Sequence, residues 1–324
     1  MPDDKPAGIR IVDRSRAAEH DERAEVVARL LANPANVAPR YFYDELGCAL
    51  YGAICRLPEY YPTRTEVALF REHRADMAKA AGAVRQFVDL GAGDCCKAQS
   101  WLPFLDPARY VAVDIAAEEL RRSLDRMAPD FPQVEMVGVV ADFQDGLPLE
   151  GVLDERATLF FYPGSSIGNF TPREAVRFLA SIRSQCVPRP GSGLLIGVDA
   201  KKDRAILDAA YDDSLGVTAA FNRNLLAHLN HRFGFDFLVE AFEHVGFYNE
   251  GEGRVEMHLE ASVEQAVKLG GGAVRRFARG ERIHTENSYK YRAEEFEALL
   301  GEAGFDHVRR WAAPADAYFV FLAS

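Results

Sequence analysis

The chain has 324 residues, 48% of them hydrophobic and 27% charged, enough for one large or two modest domains with a sizeable core. A formal net charge of −11 with scattered Lys and Arg argues against a nucleic-acid groove or an anionic membrane as the main partner, though not against a local basic patch. No run approaches the roughly 18 apolar residues of a membrane span, the polar start Met1-Pro2-Asp3-Asp4-Lys5 lacks a signal-peptide core, and five cysteines without framework spacing read as reduced thiols; a cytoplasmic protein without a metal is expected.

Residues 1 to about 20 are polar and read as a loose end. Val26, Val27, Leu30 and Leu31 recur at helical spacing, which predicts a helix over 21–33 ended by Asn33-Pro34. The aromatic stretch Tyr41-Phe42-Tyr43-Asp44-Glu45-Leu46-Gly47 leads into a short helix around 49–55. A proline-bracketed loop follows, and Thr63-x-x-Glu66 has the spacing of a capping box opening a helix over 64–80.

From residue 86 the pattern becomes regular: strand 86–90, helix 97–104, strand 109–114, helix 117–127, strands 134–140 and 157–162, helix 172–185 and strand 193–198. Such alternation predicts a parallel sheet with helices on both faces and ligands at the carboxyl ends of its strands. It stops near residue 200. Helices over 202–211 and 217–233 precede strands 242–248, 254–262, 273–278 and 281–284, the first two joined by the polar turn Asn249 to Gly253. A helix over 293–302 and a strand over 317–322 close the chain. The fold class is therefore α/β, a Rossmann-like sheet domain with an inserted α+β domain. The expected boundaries are an N-terminal layer over 1–61, the sheet domain over 62–200 and 287–324, and the insertion over 201–286.

The strand Phe87-Val88-Asp89-Leu90 runs into Gly91-Ala92-Gly93-Asp94, and a second strand ends in Asp114, 25 residues after Asp89. Glycines let a backbone approach a nucleoside, and the terminal acid can take both ribose hydroxyls. The third glycine of a dinucleotide fingerprint is replaced by Cys96, which disfavours a nicotinamide dehydrogenase and fits an S-adenosyl-L-methionine site. Cys95-Cys96 reads as buried or semi-buried packing. Asp142 and Phe143 follow the next strand, where an acid and a ring can bind an adenine amine and face. The loop Gly164 to Phe170 offers close backbone approach, several donors and Asn169. Taken alone, Phe221-Asn222-Arg223-Asn224 and Tyr211-Asp212-Asp213 read as solvated helix faces. Thr285 to Ser288 reads as a polar turn, and Met257 as core.

These segments together resemble the histidine-specific, S-adenosylmethionine-dependent methyltransferases of ergothioneine biosynthesis. The matching blocks are YFYDELG (41–47), LPEYYPTRTE (57–66), DLGAG (89–93), SSIGNFTP (165–172), AYDDSLGVTAAFNRN (210–224), AFEHV (241–245), RVEMHL (254–259) and HTENSYKY (284–291). DLGAG is common to many methyltransferases, whereas nothing generic requires the blocks of the insertion. The resemblance implies Gly91, Lys97, Asp114, Asp142 and Phe143 as the cofactor site. It implies Tyr60, Asn169, Tyr211, Met257, Glu286 and Ser288 around the amino acid. Asn169 and Tyr211 would hold its carboxylate and orient its amine, Glu286 and Ser288 would read the imidazole, and Tyr43 would lie near the amine and methyl donor. The implied reaction is trimethylation of the α-amine of L-histidine, through its mono- and dimethyl forms, to hercynine. A monomer is expected. The alternatives are the same chemistry on another aromatic amino acid or small amine, and a non-catalytic sensor of the cofactor.

Overall fold

A computed structural model of the chain describes residues 9–14, 22–143 and 146–324. In chain order they form β1 (Arg10–Asp13), α1 (Glu22–Leu31), β2 (Ala35–Asn36), α2 (Glu45–Ile54), α3 (Tyr61–Ala81), β3 (Gln86–Leu90), α4 (Cys96–Gln99), α5 (Leu102–Leu105), β4 (Arg109–Asp114), α6 (Ala117–Met127), β5 (Glu135–Val140), β6 (Thr158–Tyr162), α7 (Pro172–Cys186) and β7 (Gly193–Asp199). The remainder forms α8 (Arg204–Tyr211), α9 (Val217–Phe233), β8 (Phe242–Asn249), β9 (Arg254–Ala261), β10 (Gln265–Gly270), β11 (Ala273–Phe277), β12 (Arg282–Tyr289), α10 (Ala293–Glu302), β13 (Val308–Ala312) and β14 (Tyr318–Ala323).

Eight strands make one sheet in the order β1-β5-β4-β3-β6-β7-β14-β13. Neighbours from β1 to β7 are parallel, and β14 and β13 close the edge antiparallel. Every residue of β3, β6 and β7 is buried, as central strands covered on both faces must be. Alternate side chains feed two cores. Val88, Val111, Phe160 and Ile196 pack with Phe178 of α7 and Phe296 of α10, while Phe87, Tyr110, Phe161 and Leu195 pack with Phe70 of α3 and Leu120 of α6. The strand order reverses between β3 and β6, so the loops after these two strands open a crevice at the switch point.

A second sheet, β2-β12-β9-β8, carries a third core. Phe42, Tyr60 and Tyr61 from the N-terminal stretch meet Phe221 and Leu225 of α9, Phe242 of β8, Leu259 of β9 and Ile283 of β12 there. Asp44 fastens the two parts, accepting from the Gly47 N–H (2.7 Å) as the cap of α2 and from Asn224 Nδ2 on α9 (2.7 Å).

Several local expectations change. Arg10–Asp13 forms an edge strand beside β5 within the stretch expected to be loose, whose residues 1–8 and 15–21 lie outside the described residues. The helix expected over 97–104 is two short turns, because Pro103 has no N–H to continue the ladder across Ser100 and Trp101. Helix α3 begins at Tyr61 with Pro62 in its first turn, so Thr63 and Glu66 lie inside it and form no capping box. β12 runs on to Tyr289, through the residues read as a turn. β13 and β10, both unexpected, are added.

Candidate active site

The turn after β3 is built for close approach. Gly91 and Gly93 have φ of 72° and 52°, left-handed values that favour glycine. The N–H groups of Gly91 and Ala92 donate to Val113 O (2.9 and 3.1 Å), and the Gly93 N–H donates to Asp114 Oδ2 (2.8 Å). Asp114 Oδ1 accepts from the Ala116 N–H (2.9 Å), so each carboxylate oxygen keeps a lone pair for a ligand hydroxyl. The Phe143 ring lies over the turn, 3.8 Å from where a Cβ on Gly91 would stand, and stacks on Phe178 with centroids 5.7 Å apart. Asp142 is paired with Arg40 Nη1 (3.1 Å), and Arg40 also pairs with Glu25, tying the N-terminal layer to this loop. A nucleoside cofactor fits this donor set: a carboxylate for vicinal hydroxyls, an open glycine turn, and a ring with an acid at the next strand end.

Lys97 donates to Glu66 Oε2 (2.7 Å), and the other Glu66 oxygen accepts from the Gly164 N–H (2.6 Å) and the Tyr318 hydroxyl (2.7 Å). Burial pulls the Lys97 pKa down, but Glu66 outweighs it and leaves the ammonium above its ordinary value. Asp89 is buried in β3, its carboxyl pushed up to about 7 by burial despite a hydrogen bond from Tyr110 (2.9 Å). The cysteine pair divides: Cys95 is buried, whereas Cys96 is exposed, so only one of the two packs as expected. Among the described residues no group of three or more His, Cys, Asp and Glu is disposed to hold a metal ion.

Beside this turn a cavity of about 50 Å³ is lined by Tyr43, Tyr51, Tyr60, Gly164, Ser165, Ser166, Asn169, Tyr211, Phe221, Glu286 and Ser288. Two local features bring the last strand into it. The pairing of β12 with β9 slips between His284 and Glu286, leaving Thr285 as an extra residue whose hydroxyl donates to Met257 O (3.0 Å). Strict alternation would set Glu286 and Ser288 on the face of His284; the bulge turns them inward. Gly168 then lets the 166–169 turn press against this strand, since a Cβ there would stand 2.8 Å from Tyr289 O. Asn169 Nδ2 consequently reaches Glu286 Oε1 (3.1 Å).

The opposite wall is aromatic. Tyr43 meets Tyr51 and Phe221 edge-on (centroids 6.0 and 6.1 Å), and Tyr60 meets Tyr211 in the same manner (6.0 Å). Burial raises the hydroxyl pKa of Tyr43, Tyr51 and Tyr60 well above 10, so all three stay neutral. Tyr43 lines the cavity and is within range of the charges of both Glu286 and Asp114. At the end of α8 the Tyr211 hydroxyl donates to Ser288 Oγ (2.7 Å). Burial pushes Glu286 up to about 7, with Lys290 and Asn169 pulling the other way.

Of the expected substrate residues, Tyr43, Tyr60, Asn169, Tyr211, Glu286 and Ser288 share the cavity; Met257 does not line it and is buried in the second sheet's core opposite Glu286. Gly91, Asp114 and Phe143 gather at the glycine turn, whereas the Lys97 ammonium turns from α4 to Glu66, beside Gly164. Sequence reasoning missed Tyr51, Phe221, Glu66 and Lys290. The Phe221 to Asn224 stretch, expected on a solvated face, is mostly interior: Asn222 Nδ2 donates to His258 O (2.9 Å) and Asn224 holds Asp44. The available signal was Phe221 falling four residues before Leu225 on one helical stripe.

Residues 22–324 match the family model of histidine-specific, SAM-dependent methyltransferases. The chain is 39% identical over 306 residues to a histidine N-alpha-methyltransferase of Mycolicibacterium smegmatis, covering 93% of this chain and 94% of that protein. A histidine N-alpha-methyltransferase of Mycobacterium tuberculosis is 38% identical over 310 residues with the same coverage. Ergothioneine biosynthesis protein 1 of Neurospora crassa is 31% identical over 315 residues, which are 93% of this chain and 35% of that longer protein. By a match over nearly its whole length, the chain belongs to the histidine-specific, SAM-dependent methyltransferase family.

Proposed function

We propose that this protein transfers three methyl groups from S-adenosylmethionine to the α-amine of L-histidine, making hercynine for ergothioneine biosynthesis. The observation that carries this reading is one cavity holding a carboxylate, Glu286, and a hydroxyl pair, Tyr211–Ser288, within an aromatic wall. An imidazole offers two ring nitrogens, and such a pair can engage both. A leucine side chain would offer no donor to the Glu286 oxygen that Asn169 does not hold, at a cost of about 1–3 kcal/mol.

In this reading Asp114 takes the ribose hydroxyls, Asp142 and Phe143 the adenine, and Lys97 with Gly91 the remainder of the cofactor. Asn169 holds the amino-acid carboxylate, and Tyr211, whose proton goes to Ser288, orients the amine by accepting from it; Tyr60 closes the side, and Met257 backs Glu286 from the core. S-adenosylmethionine, when bound, supplies an activated methyl on a good leaving group, so alignment and a neutral amine are what the protein must provide. Burial disfavours the ammonium and helps the amine lose its proton. Tyr43 and Tyr60 present faces suited to the final quaternary ammonium.

The N-terminal layer (1–61) and the insertion (201–286) are read as one substrate-binding unit on the sheet domain (62–200 and 287–324). The shared core of Phe42, Tyr60, Phe221 and Leu259 supports the grouping of the first two. A monomer acting in the cytoplasm fits a cavity formed within one chain and five free cysteines. The test is mass spectrometry of products from the purified protein, S-adenosylmethionine and L-histidine, with Trp, Tyr and Phe in parallel. Gains of one, two and three methyls on histidine alone are expected. Methylation of another amino acid instead would keep the cofactor and overturn the pocket assignment.

A further inference from the structure

Directly behind the hydroxyl pair lies an ammonium group to which the reaction as described assigns no task. Lys290 is 1% exposed, and its Nζ lies 2.9 Å from Tyr211 Oη, 2.9 Å from Ser288 Oγ and 2.9 Å from Asp199 Oδ2. An ammonium has three protons and no lone pair, so these three acceptors exhaust it. Asp199 in turn accepts from Tyr61 Oη (2.6 Å) and Lys202 Nζ (2.5 Å). The lysine is thus fixed from behind and can only donate forward.

That fixes what the hydroxyls can offer. Ser288 Oγ accepts from Lys290 and from Tyr211, which fills its lone pairs and leaves its own O–H for the cavity. Glu286 faces the same space as an acceptor. We infer that Lys290 is a positioning residue that makes the Tyr211–Ser288 pair a donor, so that the pocket selects a neutral ring in one tautomer, its N–H toward Glu286 and its unprotonated nitrogen toward Ser288. The inference rests on the histidine reading above. A doubly protonated ring would set an N–H against a hydroxyl already committed to donating, close to a second cation.

Two measurements on the full chain decide this. In the first, ¹⁵N-labelled L-histidine is bound to the wild-type protein with S-adenosylhomocysteine at pH 7.5 and its ring nitrogens are observed by NMR. One protonated and one bare nitrogen in a single tautomer are expected; two protonated nitrogens or a tautomer mixture overturn the inference. The second compares L-histidine with the two β-(pyrrolyl)alanines, which keep the ring N–H near or far from the side-chain junction and lack the other nitrogen. Wild type should favour histidine over the better pyrrole by about tenfold or more in kcat/KM, the worth of one hydrogen bond, mostly through KM.

In Lys290→Met the pair can reverse its donation, while Asp199 keeps Lys202 and Tyr61. The preference should then fall below about threefold, and Lys290→Arg should restore part of it. An undiminished preference in Lys290→Met, with kcat lowered equally for both substrates, would mean a merely structural lysine and overturn the inference. If Lys290→Met fails to fold, the wild-type NMR result decides alone. Failure of wild type to methylate histidine at all sinks the functional reading, and this inference with it.

Discussion

At the scale of single residues, Glu286 is where the proposed binding role and stability oppose each other. Burial pushes its carboxyl up to about 7 from an ordinary 4.5, against Lys290 and Asn169; besides Lys290, the titratable groups sharing its cavity are the hydroxyls of Tyr43, Tyr51, Tyr60 and Tyr211. Its raised pKa means that folding favours the protonated form. The stability this gives is full below about 4.5 and is lost as pH rises to about 7. Glu286→Gln should therefore be more stable than wild type at pH 8, on the order of 1–3 kcal/mol, and nearly equal to it at pH 4.5. Calorimetry at the two pH values checks this. The same variant should lose about tenfold in kcat/KM for histidine at pH 8 by exchanging a charged acceptor for a neutral one. Wild-type kcat/KM should fall as pH drops through 7, and that fall should flatten in the variant. Asp114 was legible in the sequence because an acid ending an apolar strand is a local pattern. Lys290 was not, since its partners Asp199 and Tyr211 come from distant segments and only the fold brings them together.

At the scale of elements, the site depends on one irregular strand and one close approach. The bulge at Thr285 explains why residues 285–288 looked like a turn: the two-residue period that marks a strand breaks there. Most of β13 is exposed on the sheet edge and gave no alternation to read. The central strands were legible because burial on both faces demands uninterrupted apolar runs. Glu66 was misread because its spacing from Thr63 mimics a cap, whereas its carboxylate is spent on Lys97, Gly164 and Tyr318. Gly168→Ala tests the close approach. Its Cβ would stand 2.8 Å from Tyr289 O and 3.1 Å from Tyr289 N, so the turn carrying Asn169 must retreat from β12. A stability loss of about 1–3 kcal/mol is expected, typical of overpacking. KM for histidine should rise about tenfold while affinity for S-adenosylhomocysteine changes little, as read by titration calorimetry.

At the scale of the whole molecule, the N-terminal stretch and the 207–283 region build one core, and the sheet domain builds two more on the faces of its own sheet. Arg40, joining Asp142 and Glu25, and Glu66, joining Lys97 and Gly164, tie the segments next to the glycine turn to the parts that surround the cavity. Cofactor binding should therefore stabilise the entire fold. S-adenosylhomocysteine at a hundred times its Kd should add about 2.7 kcal/mol, seen as a rise in Tm, and Asp114→Ala should lose most of that rise relative to its own unliganded baseline. A full rise in Asp114→Ala would remove Asp114 from the cofactor site. In the proposed arrangement Glu286 and Ser288 grip the ring while the α-amine faces the methyl donor beside Tyr43. The most direct measurement is the position of the methyl groups in the product, read by tandem mass spectrometry and NMR. All three on the α-nitrogen is the expected result; a methyl on either ring nitrogen would contradict that arrangement.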